Sequence, residues 1–215
     1  MINIFTYASI TKTINGETIG CSGAILTEDT TINRYLITRD STNNIAEVLA
    51  VKLAVDLALE LRLKEVNIWA DSQFAIFGLT TWLSSWIKNS KNNVLYNSSG
   101  LQVKNQQLFL GIVRTIIDNN LRVNFFHIKG HVNNQESMIH AKSVFNRVHN
   151  ADISEDDLSL AVKMNNLVDN NTRNLLDEYK TAELIKLKRG WLQPIVSKED
   201  LIRYYSLVTL GGNKL

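Results

Sequence analysis

Alternating apolar and polar residues at the start of the chain predict three strands. Residues 2–8 alternate between two faces, and residues 18–27 and 31–38 form two further short runs with strand character. Asn15-Gly16, which lies between the first two runs, is typical of a hairpin turn. We therefore expect the chain to begin with three consecutive strands, the first two of which are joined as a hairpin.

Longer-period patterns predict that helices and strands alternate after residue 40. A helix rich in Ala, Leu and Val is expected over residues 45–63, with Asn43 or Asn44 as its cap. The elements that follow are a strand at residues 65–70, a helix that begins near residue 72 and continues past residue 82, an exposed loop at residues 88–100, a helix at residues 106–118 and a strand at residues 122–128. Strands that alternate with helices indicate an α/β fold in which helices cover a mixed sheet.

The last third of the sequence keeps a helical period. Apolar residues recur at helical spacing over residues 135–149, and again from residue 158 toward residue 176. Ile153-Ser154-Glu155-Asp156-Asp157 is typical of a hydrophobic staple and cap at the start of the second of these helices. A short terminal helix is expected after Ser197.

Composition places the chain among ordinary globular proteins. With 215 residues, 45% hydrophobic and 20% charged, it has the material for one soluble domain and an appendage. A net charge of +2 is compatible with nucleic-acid binding but does not argue for it. The single cysteine, Cys21, fits a reducing compartment. No signal-peptide pattern or membrane-length apolar run is present, so we expect an intracellular, cytoplasmic protein that does not contact membranes.

Three carboxylates stand at the ends of predicted elements. Glu47 lies in the first turn of the first helix, Asp71 directly follows the strand at residues 65–70, and Asp169 lies in the last long helix. Each one alone has a plain explanation, as a residue that favours a helix dipole, a strand-end turn residue or cap, or a solvated acid on a helix. Three acids from separate elements, without a cage of Cys or His, are also the ligand set that Mg²⁺ or Mn²⁺ prefers.

The motifs around these acids resemble the type 1 ribonuclease H family in their order and separations. The resemblance covers residues 2 to about 176 and implies a mixed five-stranded sheet flanked by helices. It rests on Phe5-Thr6-Tyr7-Ala8-Ser9 as the first active-site strand, Thr42-Asn43-Asn44-Ile45-Ala46-Glu47 as the start of the central helix, Ala70-Asp71-Ser72-Gln73 as the end of the fourth strand, Gly78-Leu79-Thr80-Thr81-Trp82 as the helix before a basic protrusion, Lys129-Gly130-His131 as the histidine loop, and Asn165 with Asp169 in the last helix.

The resemblance implies an endonuclease that hydrolyses the RNA strand of RNA–DNA hybrids with two Mg²⁺ or Mn²⁺ ions. Glu47, Asp71 and Asp169 would be the metal ligands, and His131 would shuttle a proton or help the product leave. Phosphodiester hydrolysis needs an activated water, neutralised phosphate charge and a stabilised leaving oxygen, and two divalent ions roughly 3.5–4 Å apart supply all three. Because the acids occur in the family's order, we favour a metal site over three separate structural acids.

The same resemblance assigns further residues to nucleic-acid contacts. Side-chain amides suit the minor groove of a hybrid, where the 2′-hydroxyl groups distinguish RNA from DNA. Basic and aromatic side chains suit the DNA backbone. The predicted contacts are Ser9, Thr42, Asn43, Asn44, Gln73, Trp82, Lys88 and Lys91. Trp82 and Trp86 are also spaced i, i+4, which is more typical of packing than of stacking on nucleic acid.

The sequence departs from the family at Tyr7, where the family has the aspartate that bridges the two metal ions. A neutral phenol is a poor ligand for Mg²⁺, and residues 1–10 contain no acid that could replace it. Three explanations follow. The chain is a natural inactive relative, an inactivated copy of an active enzyme, or an enzyme that keeps weak activity with a rearranged or single-metal site.

The second departure is a helical insertion over about residues 132–164, where the family has only a short link. Helical spacing of its apolar residues favours packing as its role, and a lid or a partner-binding element are the alternatives. We expect a ribonuclease H-like domain at residues 1–180 and a C-terminal extension at residues 181–215. A protein partner could bind either the insertion or the extension.

Three hypotheses about function follow from these observations. The first is a metal-dependent ribonuclease acting on RNA–DNA hybrids, damaged at Tyr7. The second is a catalytically inactive module that binds hybrids or a protein partner. The third is a member of the wider superfamily that acts on a structured nucleic-acid junction. Binding and cleavage measured on hybrids and on junction DNA would separate the three.

Overall fold

Seven strands form one mixed sheet at the centre of the protein. The computed structural model describes residues 1–13, 16–179 and 198–214. Within these residues the strands are β1 (Asn3–Lys12), β2 (Thr18–Leu26), β3 (Asn33–Arg39), β4 (Glu65–Ala70), β5 (Arg122–His127), β6 (Val208–Leu210) and β7 (Asn213–Lys214). Their order is β3-β2-β1-β4-β5-β6-β7; β2 is antiparallel to both β1 and β3, β7 is antiparallel to β6, and β1, β4, β5 and β6 are parallel. The predicted α/β fold is confirmed, and its five expected strands are β1 to β5.

Helices cover both faces of the sheet. They are α1 (Asn43–Glu60), α2 (Gln73–Phe77), α3 (Leu83–Lys88), α4 (Gln106–Asn119), α5 (Gln135–His149), α6 (Glu155–Tyr179) and α7 (Lys198–Leu207), and a π-helical turn at Gly78–Trp82 joins α2 to α3. Among the described residues, no helix combines the length and the apolar character that a membrane crossing requires. The insertion expected at residues 132–164 ends inside α6, which is continuous.

Hydroxyl side chains cap three of the helices that carry site residues. The predicted cap of α1 at Asn43 or Asn44 is wrong: Thr42 has an extended backbone, and its hydroxyl accepts a hydrogen bond from the Ile45 amide at 3.3 Å. Ser72 caps α2 by accepting from the Ala75 amide at 3.1 Å. Ser154 accepts from the Asp157 amide at 3.0 Å, as the sequence predicted for α6. Each cap satisfies an amide that the helix itself leaves unpaired.

The core is divided by the sheet into two layers. On one face, Val66 and Ile68 of β4 pack with α1 and α4. On the other face, Phe5 and Tyr7 of β1 pack with α5 and α6. Successive side chains of a strand point to opposite faces, so β1 and β4 contribute to both layers. α1 is buried on almost every side because it lies between the sheet and α4, which explains why apolar residues run nearly unbroken along it.

The helix α5 packs one face against the sheet. Ala141, Val144 and Phe145 are buried, and the Phe145 ring lies parallel to the Phe126 ring with centroids 6.3 Å apart. Packing, which the spacing of apolar residues favoured, therefore accounts for one side of the insertion. The opposite side, with Ile139 among its residues, is exposed.

The segment after residue 197 joins the same fold. Tyr204 of α7 is buried, and its hydroxyl donates to the Leu79 carbonyl at 3.0 Å. β6 then extends the sheet beside β5, and β7 folds back on β6. The sequence predicted the terminal helix but not these two strands. Asn15 of the predicted hairpin, and the expected domain boundary at residues 180 and 181, lie outside the described residues, although Gly16 has the positive φ of +79° that such a turn requires.

Two buried histidines connect α5 to the strand below it. His149 is 1% exposed, and its Nε2 lies 3.1 Å from the His127 amide nitrogen and 2.9 Å from the His127 carbonyl oxygen. The His127 ring in turn places Nε2 3.2 Å from the Asp71 carbonyl oxygen. Burial lowers the pKa of His149 and lowers the pKa of His127 to about 4. Both rings are therefore neutral in the folded protein at neutral pH.

This burial predicts acid sensitivity. Unfolded His127 takes up a proton below about pH 6.5, whereas the folded ring resists protonation down to about pH 4, so the free energy of unfolding falls as pH drops through that window. For His127 the loss between pH 7 and pH 5 is about 2 kcal/mol. Urea unfolding at the two pH values measures it, with His127→Gln as the comparison because Gln keeps a donor and does not titrate. Equal losses in the two proteins would contradict this explanation.

Candidate active site

The predicted site residues meet at the end of β4, in the middle of the sheet. β1 and β4 run parallel with Thr6 opposite Ala70, so Tyr7, inside β1, lies beside Asp71, the residue that follows β4. The loop after β5 brings His131 to this end, and α6 brings Asp169. All five predicted central residues, Tyr7, Glu47, Asp71, His131 and Asp169, are near one another through the contacts described below.

The carboxyl group of Asp71 lies at the centre of this acidic region. Burial raises its pKa to about 7, and the negative charges of Glu47 and Asp169 add to the rise. Burial also raises the pKa of Glu47, whose Oε2 accepts a hydrogen bond from the Ser72 hydroxyl at 2.6 Å. A Cβ atom at residue 130 would overlap Oδ2 of Asp71, so glycine there lets the histidine loop approach without displacing that carboxylate. The region therefore favours a proton or another cation on Asp71.

Tyr7 fills the space between Asp71, Asp169 and His131. Its side chain is 7% exposed, and its hydroxyl lies 3.3 Å from Nε2 of His131. Burial raises the pKa of Tyr7 to about 12, with smaller contributions from the charges of Asp71 and Asp169. The phenol is consequently neutral at physiological pH. His131 has a backbone φ of +55°, a left-handed conformation that is uncommon outside glycine and turns the ring toward Tyr7.

Arg173 is a site residue that sequence reasoning missed. Its Nε donates to Oδ1 of Asp169 at 2.5 Å, and its guanidinium lies close enough to Tyr7 to act against the rise in the pKa of that phenol. The other Asp169 oxygen, Oδ2, lies 3.8 Å from Nδ1 of His131. Asp169 is only 8% exposed, so the positive charge of Arg173 is its close partner. The i, i+4 spacing of Asp169 and Arg173 on one helix was the signal that could have found it.

The three acids do not form a preformed metal site, because two of them are hydrogen bonded to other side chains of the protein. Across residues 1–13, 16–179 and 198–214, no group of three or more His, Cys, Asp or Glu side chains is placed to hold a metal ion. Ser72 holds Glu47, and Arg173 holds Asp169. Asp71 is the acid on which the structure leaves most unbalanced negative charge.

Two cavities meet at the carboxylates. The first has a volume of about 460 Å³ and is lined by Tyr7, Ser9, Asn43, Arg173 and neighbouring residues. The second has a volume of about 540 Å³ and extends from Gln73 toward α5. Both include Glu47, Asp71 and His131 in their linings, so a ligand lying over the acids would reach into both.

The predicted nucleic-acid contacts divide into those near the acids and those farther away. Asn43 and Gln73 are exposed, and they line the first and the second cavity, respectively. The Ser9 hydroxyl is already hydrogen bonded to the Thr172 hydroxyl at 2.8 Å, and the Thr42 hydroxyl caps α1. A third cavity of about 630 Å³ has a mostly apolar lining that includes Asn44, Trp82, Trp86 and Lys104.

The two tryptophans and the predicted lysines take different positions around this third cavity. Trp82 is 37% exposed and Trp86 is buried, with ring centroids 5.9 Å apart, so packing dominates as their spacing indicated. Lys88 and Lys91 are exposed but do not line this third cavity, whereas Lys104, which was not predicted, does.

Comparisons with known proteins agree with this geometry. A sequence model of the RNase H family matches residues 1–144. A ribonuclease HI of Haemophilus influenzae is 32% identical over 142 residues, which cover 64% of this chain and 83% of that protein. A ribonuclease H of Neorickettsia sennetsu is 41% identical over 71 residues, which cover 33% of this chain and 44% of that protein. The chain thus spans less than half the length of this second relative.

A solved structure supports the fold independently. The solution structure of the PFV RNase H domain superposes with a TM-score of 0.50 at 17% identity, covering 68% of this chain and 92% of that domain. At this identity the likeness speaks for the fold alone. Together with the match of the family model over residues 1–144, it confirms the resemblance read from the motifs. The chain belongs to the RNase H family.

Proposed function

We propose that this chain binds RNA–DNA hybrids through the ribonuclease H site, and that Tyr7 suppresses hydrolysis of the RNA strand. The observation that carries the proposal is that three carboxylates and His131 converge on a neutral phenol. Glu47, Asp71 and Asp169 are the proposed metal ligands and His131 the proposed catalytic histidine of the ancestral reaction. The family membership and the name of the Haemophilus influenzae relative, a ribonuclease HI, support the hybrid as the substrate class.

Exposed amides beside the acids support hybrid recognition. Asn43 and Gln73 stand on opposite sides of the carboxylates, each lining one of the two cavities that meet there. Side-chain amides can donate to and accept from base edges and 2′-hydroxyl groups in a shallow minor groove. None of these contacts requires Tyr7 to be an acid, so binding is expected to survive the loss of the bridging ligand.

The donor set fits one divalent ion better than two. Glu47 and Asp71 offer carboxylate oxygens whose raised pKa values reflect a shortage of positive charge, and Mg²⁺ or Mn²⁺ would supply it. A bound ion of this kind neutralises phosphate charge and activates water. The second position lacks support, because Arg173 already neutralises Asp169 and the Tyr7 phenol is uncharged. We therefore propose one metal ion at Glu47 and Asp71.

The second candidate function is hydrolysis by this single-metal site. It is favoured by the concentration of acid at Asp71, and by His131 within reach of both Tyr7 and Asp169. Arg173 would then offer its guanidinium N–H groups to a phosphate, as arginine commonly does. This candidate predicts slow, metal-dependent cleavage by the unaltered chain.

The substitution Tyr7→Asp is expected to restore hydrolysis. An acid at this position would return the missing oxygen ligand beside Asp71 and Asp169, so cleavage of a labelled hybrid in Mg²⁺ or Mn²⁺ should rise by about 100-fold or more over the unaltered chain. Hybrid binding without metal should not become stronger, because the added carboxylate repels the polyanion. Gel analysis of the RNA strand measures cleavage, and fluorescence anisotropy measures binding.

Two control variants make this result specific. Tyr7→Phe keeps the bulk and remains neutral, so it should stay inactive, and Tyr7→Asp with Asp71→Asn should lose the restored activity. Equal cleavage by the unaltered chain and Tyr7→Asp would overturn the suppression by Tyr7 and favour the second candidate. Failure of the folded, unaltered chain to bind hybrid, with preference for junction DNA instead, would reject the proposed substrate class.

Removing the Asp71 charge is expected to stabilise the fold at alkaline pH. Because folding raises the pKa of Asp71 from 3.8 to about 7, ionised Asp71 opposes folding increasingly as pH rises between those values. Asp71→Asn should therefore gain about 4 kcal/mol over the unaltered chain between pH 4 and pH 8 in metal-free buffer. Urea unfolding measures the gain, and Asp118→Asn, on an exposed acid, should show little of it. A constant difference across pH would contradict the crowding of charge at Asp71.

A further inference from the structure

Three basic side chains line the second cavity, next to the carboxylates. Lys129 follows β5, and His140 and Arg147 project from α5; all three share the lining with Glu47 and Asp71. We call Lys129, His140 and Arg147 the α5 basic face. His140 and Arg147 belong to the helical insertion. None of the hybrid-binding residues proposed above lies in that insertion.

The packing of α5 fixes the helix turns that carry His140 and Arg147. The helix begins with a capping box at Asn134 and Ser137, and its opposite face is buried through Ala141, Phe145 and His149. Residues 140, 144 and 147 follow the i, i+4, i+7 spacing of one helical stripe. Val144 is buried in the core, and His140, Val144 and Arg147 all line the cavity.

The cationic groups of Lys129 and Arg147 form no ion pair with a carboxylate among the described residues. In the described part of the chain, no carboxylate oxygen lies within 4.0 Å of the charged nitrogen atoms of Lys129 or Arg147. Lys142, on the same helix, does have such a partner in Asp152 at 3.8 Å. His140 and Arg147 are both exposed. The face is thus free to bind an anion from solution.

We infer that the α5 basic face binds phosphates of the nucleic-acid backbone where a hybrid continues past the carboxylates. This inference rests on the proposed hybrid binding and names a further part of the binding surface. The acids alone would repel a polyanion, so cations placed beside them offset that repulsion along the path of the strand. Arginine and lysine contacts of this kind release counterions and carry no base specificity.

The test compares Arg147→Ala with Arg203→Ala on hybrids of two lengths. Arg203 is exposed on α7 and does not line the cavity, so it is the matched control. For a hybrid of about 20 base pairs, Arg147→Ala should weaken binding about 5- to 10-fold at low salt and reduce the slope of log K against log salt by about 1. A hybrid of about 6 base pairs centred on the acids should bind equally to both variants. Arg147→Lys should keep most of the affinity for the long hybrid.

The possible outcomes separate this inference from the proposal on which it rests. If the unaltered chain binds no hybrid of either length, the proposed function fails. If it binds the long hybrid but Arg147→Ala binds equally well with the same salt slope, the α5 basic face is rejected and hybrid binding stands. Tight binding of poly-glutamate that competes with the long hybrid and depends on Arg147 would overturn the nucleic-acid assignment in favour of an acidic protein segment.

Discussion

The need to balance negative charge at Asp71 and Asp169 governs the rest of this site. Parallel pairing of β1 with β4 and the packing of α6 bring these acids together in a poorly solvated place, where carboxylates repel one another unless a cation or a proton is present. This chain balances Asp169 with Arg173, and it fills the intervening space with Tyr7. Asp71 retains a pKa of about 7, which marks it as the acid still able to take a cation.

The sequence predicted the fold and the central residues because both depend on local patterns and on order along the chain. Alternation gave β1 to β5, and Glu47, Asp71, His131 and Asp169 do come together. Thr42 instead of Asn43 caps α1, since several adjacent residues could cap and only the backbone conformation decides. The short strands β6 and β7 could not be predicted, because β6 reaches β5 only through the packing of α7, and β7 pairs in turn with β6.

The surroundings of the central residues were less predictable, for a physical reason. Arg173 was detectable from its spacing to Asp169, but its contact with Tyr7 depends on how α6 lies across β1. The α5 basic face required the tertiary structure, since Lys129 and Arg147 are distant in sequence and meet only because α5 folds back on the sheet. The buried face of the insertion agrees with the packing that its spacing favoured, whereas nothing in the sequence singled out the exposed stripe of His140 and Arg147 that lines the second cavity.

Counting the metal ions in the site tests directly whether Arg173 and Tyr7 replace the second ion. Crystals of the unaltered protein with hybrid, grown in Mn²⁺, would locate each ion by its anomalous scattering. We expect one ion at Glu47 and Asp71 and none beside Asp169, where Arg173 keeps its contact. Two ions bridging Asp71 and Asp169, with Tyr7 and Arg173 displaced, would contradict it.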